Sequence, residues 1–135
     1  MNRKLRFEGE YINDEKNGKG KEYDRDGILR FEDEYIKGKR NGKGKEYDLD
    51  GKLIFEGEYL NGEKNGKGKE YHNGGKLVYE IEYLNGKKWN GKEYKYNYDN
   101  NKLIYECEYL YGIKTGMIKE YYKYKRIIII LNKNA

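Results

Sequence analysis

From Leu53 the chain reads Leu-Ile-Phe-Glu-Gly-Glu-Tyr-Leu, an alternation that sets Leu53, Phe55, Gly57 and Tyr59 on one face and Ile54, Glu56, Glu58 and Leu60 on the other. A period of two belongs to a β-strand, whose successive side chains leave opposite faces. Asn61-Gly62 follows, the favoured pair for a two-residue type I′ hairpin turn because both central residues need positive φ. A second strand, Lys67-Gly68-Lys69-Glu70-Tyr71, comes next, and Asp50-Gly51 supplies a tight turn on the other side. The segment is predicted to be a hairpin.

The hairpin recurs along the chain. Phe7-Glu8-Gly9-Glu10-Tyr11 returns from Phe31, Phe55, Tyr79 and Tyr105, at spacings of 24, 24, 24 and 26 residues. A fixed period of this size marks stacked supersecondary units, each in contact with its neighbours. The expected fold class is all-β: an elongated single-layer antiparallel β-meander of about ten strands, a repeat array of hairpins. Residues 1–121 form the array of about five repeats, and residues 122–135 a basic and apolar capping strand or tail.

The tight turns imply a register. Glu56 is expected opposite Lys67 across Asn61-Gly62 and opposite Lys45 across Asp50-Gly51, so a glutamate row between lysine rows helps to lock the pairing at about 0.2–1 kcal/mol per pair. The same register sets Phe55 opposite Gly68, and Gly57 opposite Gly66 or Gly44, so that rings lie over bare backbone. One residue is missing between Tyr83 and Tyr94 and three are added between Tyr94 and Tyr105, which predicts a longer loop or a bulge around residues 97–101. Past Tyr109 the motif decays, and the run from Ile127 to Leu131 is predicted as a final strand that caps the array.

With 36% hydrophobic and 39% charged residues the composition borders on that of a disordered chain, and the 17 regularly spaced tyrosines argue for order. Residues 1–110 carry 23 basic and 23 acidic side chains, so the net charge of +5 resides in residues 111–135. A neutral array lacks the basic groove that draws in nucleic acid. One cysteine excludes an intramolecular disulfide and fits a reducing, cytoplasmic compartment. Met1 to Arg6 has no apolar core of a secretory signal, and the run from Ile127 to Leu131 is far short of the roughly 20 residues of a spanning helix.

The pattern Phe-Glu-Gly-Glu-Tyr-Leu-Asn-Gly followed by Asn-Gly-Lys-Gly-Lys-Glu-Tyr resembles the MORN repeats, whose core is an aromatic, a glycine, an aromatic, Asn-Gly and then Gly-x-Gly. The resemblance covers residues 5 to about 121 and is clearest in the units beginning at Phe7, Phe31 and Phe55. Segments such as Lys45 to Leu53 lean toward the bacterial variant of the repeat, found in proteins sometimes labelled antitoxins. Asp33, Ile81 and Cys107 stand where the family has its central glycine, and Tyr11, Tyr35 and Tyr59 where most members carry Trp. The resemblance implies a β-hairpin scaffold acting in protein association, homodimerisation or attachment to membranes and phosphoinositides, with no chemical activity.

The residues themselves point away from catalysis. Glu56 and Glu58 resemble an acid and base couple, but five solvated copies beside lysines make a charge ladder and not one desolvated pocket. His72 and Cys107 are single, so no metal cluster assembles, and Cys107 is expected to pack between Tyr105 and Tyr109. There is no serine, Thr115 is the lone threonine, and the glycines around Lys67 are too close together for a phosphate loop. No enzyme, cofactor or metal is expected.

Two surfaces remain. Phe7, Tyr11, Phe31, Tyr35, Phe55, Tyr59, Tyr79, Tyr83, Tyr105 and Tyr109 form an aromatic stripe, read either as the core or as a groove for a partner. Lys123, Lys125 and Arg126 beside the isoleucines suit either an anionic lipid surface or the charged edge of a capping strand. The leading functional expectation is a scaffold for protein–protein interaction, the partner being another protein or a second copy. Peripheral membrane binding and an antitoxin-like role stand as alternatives.

Overall fold

The computed structural model describes residues 4–72, 74–121 and 128–132, with side chains over 4–72 and 74–115. Eleven strands follow chain order in one sheet. They are β1 (Phe7–Ile12), β2 (Glu15–Tyr23), β3 (Leu29–Ile36), β4 (Lys39–Tyr47), β5 (Leu53–Leu60), β6 (Glu63–His72), β7 (Lys76–Leu84), β8 (Lys87–Tyr96), β9 (Leu103–Leu110), β10 (Ile113–Tyr121) and β11 (Ile128–Asn132). At about 4.8 Å between strands the sheet runs about 50 Å. The expected single-layer meander is what forms, and β11 pairs with β10 from Tyr121↔Ile128 to Met117↔Asn132.

The Asn61-Gly62 turn has the predicted form, with φ of 49° and 88°. The Asp50-Gly51 link is longer than a two-residue turn. Gly51 N donates to Asp48 O and Asp48 N to Lys52 O, while Asp48 Oδ1 accepts from the amides of Asp50 and Lys52 at 2.9 Å. This is a three-residue loop closed by an aspartate that mimics a backbone acceptor.

The register departs from the expected one by two residues beyond the turn in four hairpins and by one in the β7–β8 hairpin. Near the turn Tyr59 pairs with Lys64, but beyond it Gly57 pairs with Gly68, Glu56 with Lys69 and Phe55 with Glu70. Residues 65–67 bulge outward, so Glu56 faces Lys69 instead of Lys67, and Gly57 faces Gly68 instead of Gly66. Gly66 permits the bulge with a φ of 97°, and Glu58 closes it by accepting the Lys67 amide at 2.8 Å. The other expected partner, Lys45, does lie opposite Glu56, as Gly44 does opposite Gly57. Between these glutamate and lysine rows Lys21 and Glu32 close into an ion pair at 3.8 Å.

A second irregularity separates the pairs Glu46↔Phe55 and Tyr47↔Leu53. Directly paired residues share a face, so Leu53 lies with Tyr47 and Glu56, opposite Phe55, and the strict alternation breaks at Ile54. Further on, Tyr96↔Leu103 repeats the pairing of Tyr47 with Leu53, which makes Tyr96, and not Tyr94, the counterpart of Tyr47. Two of the three added residues thus lengthen β8, and the third enlarges the loop closed by Asn97 N to Lys102 O.

Each hairpin is fastened to the one before it by the same two bonds. Gly62 N donates to Arg40 O and Gly86 N to Lys64 O, both at 2.8 Å. Beside them the side-chain oxygens of Asn17, Asn41, Asn65 and Asn90 accept the amides of Lys37, Asn61, Asn85 and Tyr111.

Candidate functional site

The two faces of the sheet are built differently. On the aromatic face Phe55 meets Tyr59 and Tyr83 edge-on, with centroids 5.7 Å apart in each case, and Phe7 meets Tyr11 and Tyr35 likewise at 5.3 and 5.7 Å. The close approach depends on glycine: a Cβ on Gly68 would stand 2.7 Å from the Phe55 ring and 3.0 Å from that of Tyr83. Tyr35, Phe55, Tyr59 and Tyr83 are buried by the chain itself. Phe7, Phe31, Tyr79, Tyr105 and Tyr109 are half-buried, and Tyr11 is exposed.

What covers the rings is a row of cations. Lys16 Nζ stands 4.4 Å from the Phe7 centroid, Arg40 3.8 Å from Phe31, Lys64 4.0 Å from Phe55 and Lys88 4.1 Å from Tyr79. Their alkyl stems add apolar cover, and each such contact contributes about 0.5–2 kcal/mol. Glutamates tie the row together across hairpins. Glu22 bonds Lys16 and Arg40, both at 2.6 Å, and Glu70 reaches Lys64 at 3.7 Å and Lys88 at 3.4 Å. Burial raises the Glu22 carboxyl, but the hydrogen bonds from Lys16 and Arg40 outweigh it and leave the group below the usual range. These residues recur at 24-residue spacing in the sequence, a signal that the aromatic motif overshadowed.

Two units vary this arrangement. Asp33 replaces the central glycine of its unit, is 3% exposed, and is met by Arg40 Nε at 2.8 Å where other units have lysine. Burial dominates and pushes the carboxyl up to about 6 against the pull of Arg40. In β8, Glu93 pairs with Tyr79 on one side and Cys107 on the other. It accepts the Cys107 thiol at 3.3 Å and the Lys114 ammonium at 2.8 Å. Burial, then Glu93, push the Cys107 thiol up to about 11. Cys107 is thus buried, with an acidic neighbour that sequence reasoning missed.

The opposite face is an open trough of about 1050 Å³, lined by rows that include Glu56, Glu58, Lys67 and Lys69. Tyr71 donates its hydroxyl to the lining residue Glu56 at 2.7 Å, and burial together with that bond holds it up to about 12. On the same face, past the lining residues and beside the tight turns, stand Ile12, Ile36, Leu60, Leu84 and Leu110, one per hairpin and each 42–58% exposed. Units are two strands apart, so these side chains recur about every 10 Å. The signal for them was the apolar residue before each turn.

Glu56 and Glu58, which resemble an acid and base couple in sequence, have separate structural tasks: one accepts Tyr71, the other a bulge amide. Lys123, Lys125 and Arg126 lie outside the described residues.

The family profile described as MORN repeat matches residues 7–28, the hairpin of β1 and β2, and that described as MORN repeat variant matches residues 40–61 and 64–85. The variant segments run from β4 into β5 and from β6 into β7, so they frame the hairpin about the longer loop, half a unit out of phase with the first match. No curated protein matches the chain. Repeats of this kind serve as scaffolds for protein or membrane contacts. The chain thus carries MORN repeats and combines the standard unit with its variant.

Proposed function

We propose that this protein is a non-enzymatic scaffold that holds a protein segment along the trough, with the aliphatic row as its anchors. The observation that carries this reading is the exposure of one Ile or Leu at the same place in all five hairpins, Ile12, Ile36, Leu60, Leu84 and Leu110. Scattered apolar side chains on a surface need no explanation, but a row at a fixed spacing beside a concavity is the form of a binding patch. The acidic and basic rows of the trough nearly balance, which favours a mixed-charge polypeptide over nucleic acid or an anionic membrane. The middle of the aromatic stripe is occupied by its own packing, so the trough is the freer surface.

A photo-reactive residue placed at Leu60 should cross-link to a protein partner in cells, and replacing Ile36, Leu84 and Leu110 together by Lys, with the photo-reactive residue kept at position 60, should abolish the adduct without changing the melting curve. Light scattering of the purified chain decides whether a second copy is that partner. An adduct of unchanged yield in the triple variant, or none at all, would remove the trough as the docking surface.

A further inference from the structure

The outer edge of β1 is the same interface that joins one hairpin to the next, left unfilled. In the second and fourth units the second aromatic of the motif has a receptor built by the preceding hairpin. Tyr83 packs on Phe55 at 5.7 Å, lies under Lys64 Nζ at 5.7 Å from its centroid, and covers Gly68. Tyr35 has the same three from the hairpin before it: Phe7, Lys16 and Gly20. Tyr11 occupies that position in the first unit and keeps only the contact within its own hairpin, to Phe7. It is 55% exposed, against 3% for Tyr35, 7% for Tyr59 and 6% for Tyr83.

The backbone repeats the statement. Asn13 and Asp14 form the tight turn with φ of 50° and 64°. Asp14 stands where Gly38, Gly62, Gly86 and Gly112 each donate an amide to the preceding hairpin's carbonyl. Among the described residues nothing pairs with the outer side of β1.

We infer that this edge accepts an extended strand from another polypeptide, antiparallel to β1, with a basic residue two positions before a Gly-Lys-Gly-Lys-Glu segment. Each element of that pattern has its counterpart in the β2–β3 interface. Gly18 pairs with Tyr35, Lys19 with Glu34, Gly20 with Asp33, Lys21 with Glu32 and Glu22 with Phe31. Transposed to β1, the second glycine gives Tyr11 its room, the lysines face Glu10 and Glu8, and the preceding cation reaches the Tyr11 ring. β1 holds two glutamates and no basic residue, so the charges complement. Strand addition of this kind draws affinity from main-chain bonds and specificity from alternate side chains. A second copy does not supply the strand, because β2, β4 and β6, which carry the pattern, are each paired on both sides.

The probe is a synthetic peptide with the sequence of residues 63–71, Glu-Lys-Asn-Gly-Lys-Gly-Lys-Glu-Tyr, titrated into the isotope-labelled full chain. Saturable binding in the millimolar range or tighter is expected, with amide shifts confined to β1 and the turn after it and a shift of the Tyr11 ring signals. A peptide with both glycines changed to Val should not bind, and Tyr11→Ala should weaken binding several-fold while the fold, followed by the unperturbed amides of β5 to β7, stays intact. No shift in β1, equal shifts with the Val peptide, shifts centred on the trough, or dilution of the chain alone moving the same β1 amides would each overturn the inference. Of the aliphatic row only Ile12 lies in β1, and Ile36, Leu60, Leu84 and Leu110 are outside this readout, so the trough and the edge succeed or fail separately.

Discussion

The junction of β6 with β7 and that of β8 with β9 hold neighbouring hairpins together by opposite chemistry. At the first, Gly68 faces Ile81 and its bare backbone admits the rings of Phe55 and Tyr83. At the second, β8 is out of step with the repeat, and Glu93 faces Cys107 where a glycine would stand. A carboxylate there is tolerated because Cys107 and Lys114 satisfy it, and those bonds overcome burial to keep Glu93 below the usual range. A slip in spacing has thus been absorbed by exchanging a ring-and-glycine contact for a hydrogen-bonded acid. Buried charge needs its partners, whereas ring packing needs only shape.

The sharpest way to break the first junction is Phe55→Ala. Phe55 is 1% exposed and joins two tyrosines, so truncation should cost about 3–5 kcal/mol, measured by urea unfolding. Phe7→Ala, at a half-buried ring, should cost less. Equal losses would mean that the array is stabilised along its length by something other than the ring clusters.

The second junction yields to Glu93→Gln, which leaves Lys114 without its counter-ion and should cost about 1–3 kcal/mol at neutral pH. Because the folded pKa of Glu93 is depressed, its contribution is present above the unfolded value of 4.5 and is lost as pH falls through the folded one. The difference between wild type and variant should therefore shrink below pH 4.5, and a constant difference would show that the charge is not what matters.

Asp33 is the smaller test and has the opposite sign. Its carboxyl is raised to about 6 from 3.8, so the ionised form opposes folding and stability from this group rises as pH falls from above 6 toward 4. The increment should be on the order of 1–3 kcal/mol and should vanish in Asp33→Asn, read from melting temperatures at pH 7.5 and pH 5. If the Asp33→Asn variant retains the increment, another group titrates in that window.

Strands and turns were legible because they follow from local rules: period two, Asn-Gly, an aspartate before a glycine. The two-residue bulge was not, since it depends on Gly66 taking a positive φ and Glu58 folding back onto the Lys67 amide, a choice made only when the strands meet. Lys16, Arg40, Lys64 and Lys88 recur in strict register but read as solvated charges, because their cover of the rings exists only in three dimensions. Asp33 and Arg40 are both visible as departures from the repeat. That they compensate each other needed the 2.8 Å contact to be seen.

The asparagine bonds from Asn17, Asn41, Asn65 and Asn90 reach only the next turn along. Nothing in a unit therefore records its distance from either end, and a whole unit can be gained or lost without a change to the others. Length becomes a heritable variable that moves in steps of about 10 Å. Each step adds one exposed Ile or Leu to the row beside the turns, so that surface is lengthened by counting units instead of being redesigned.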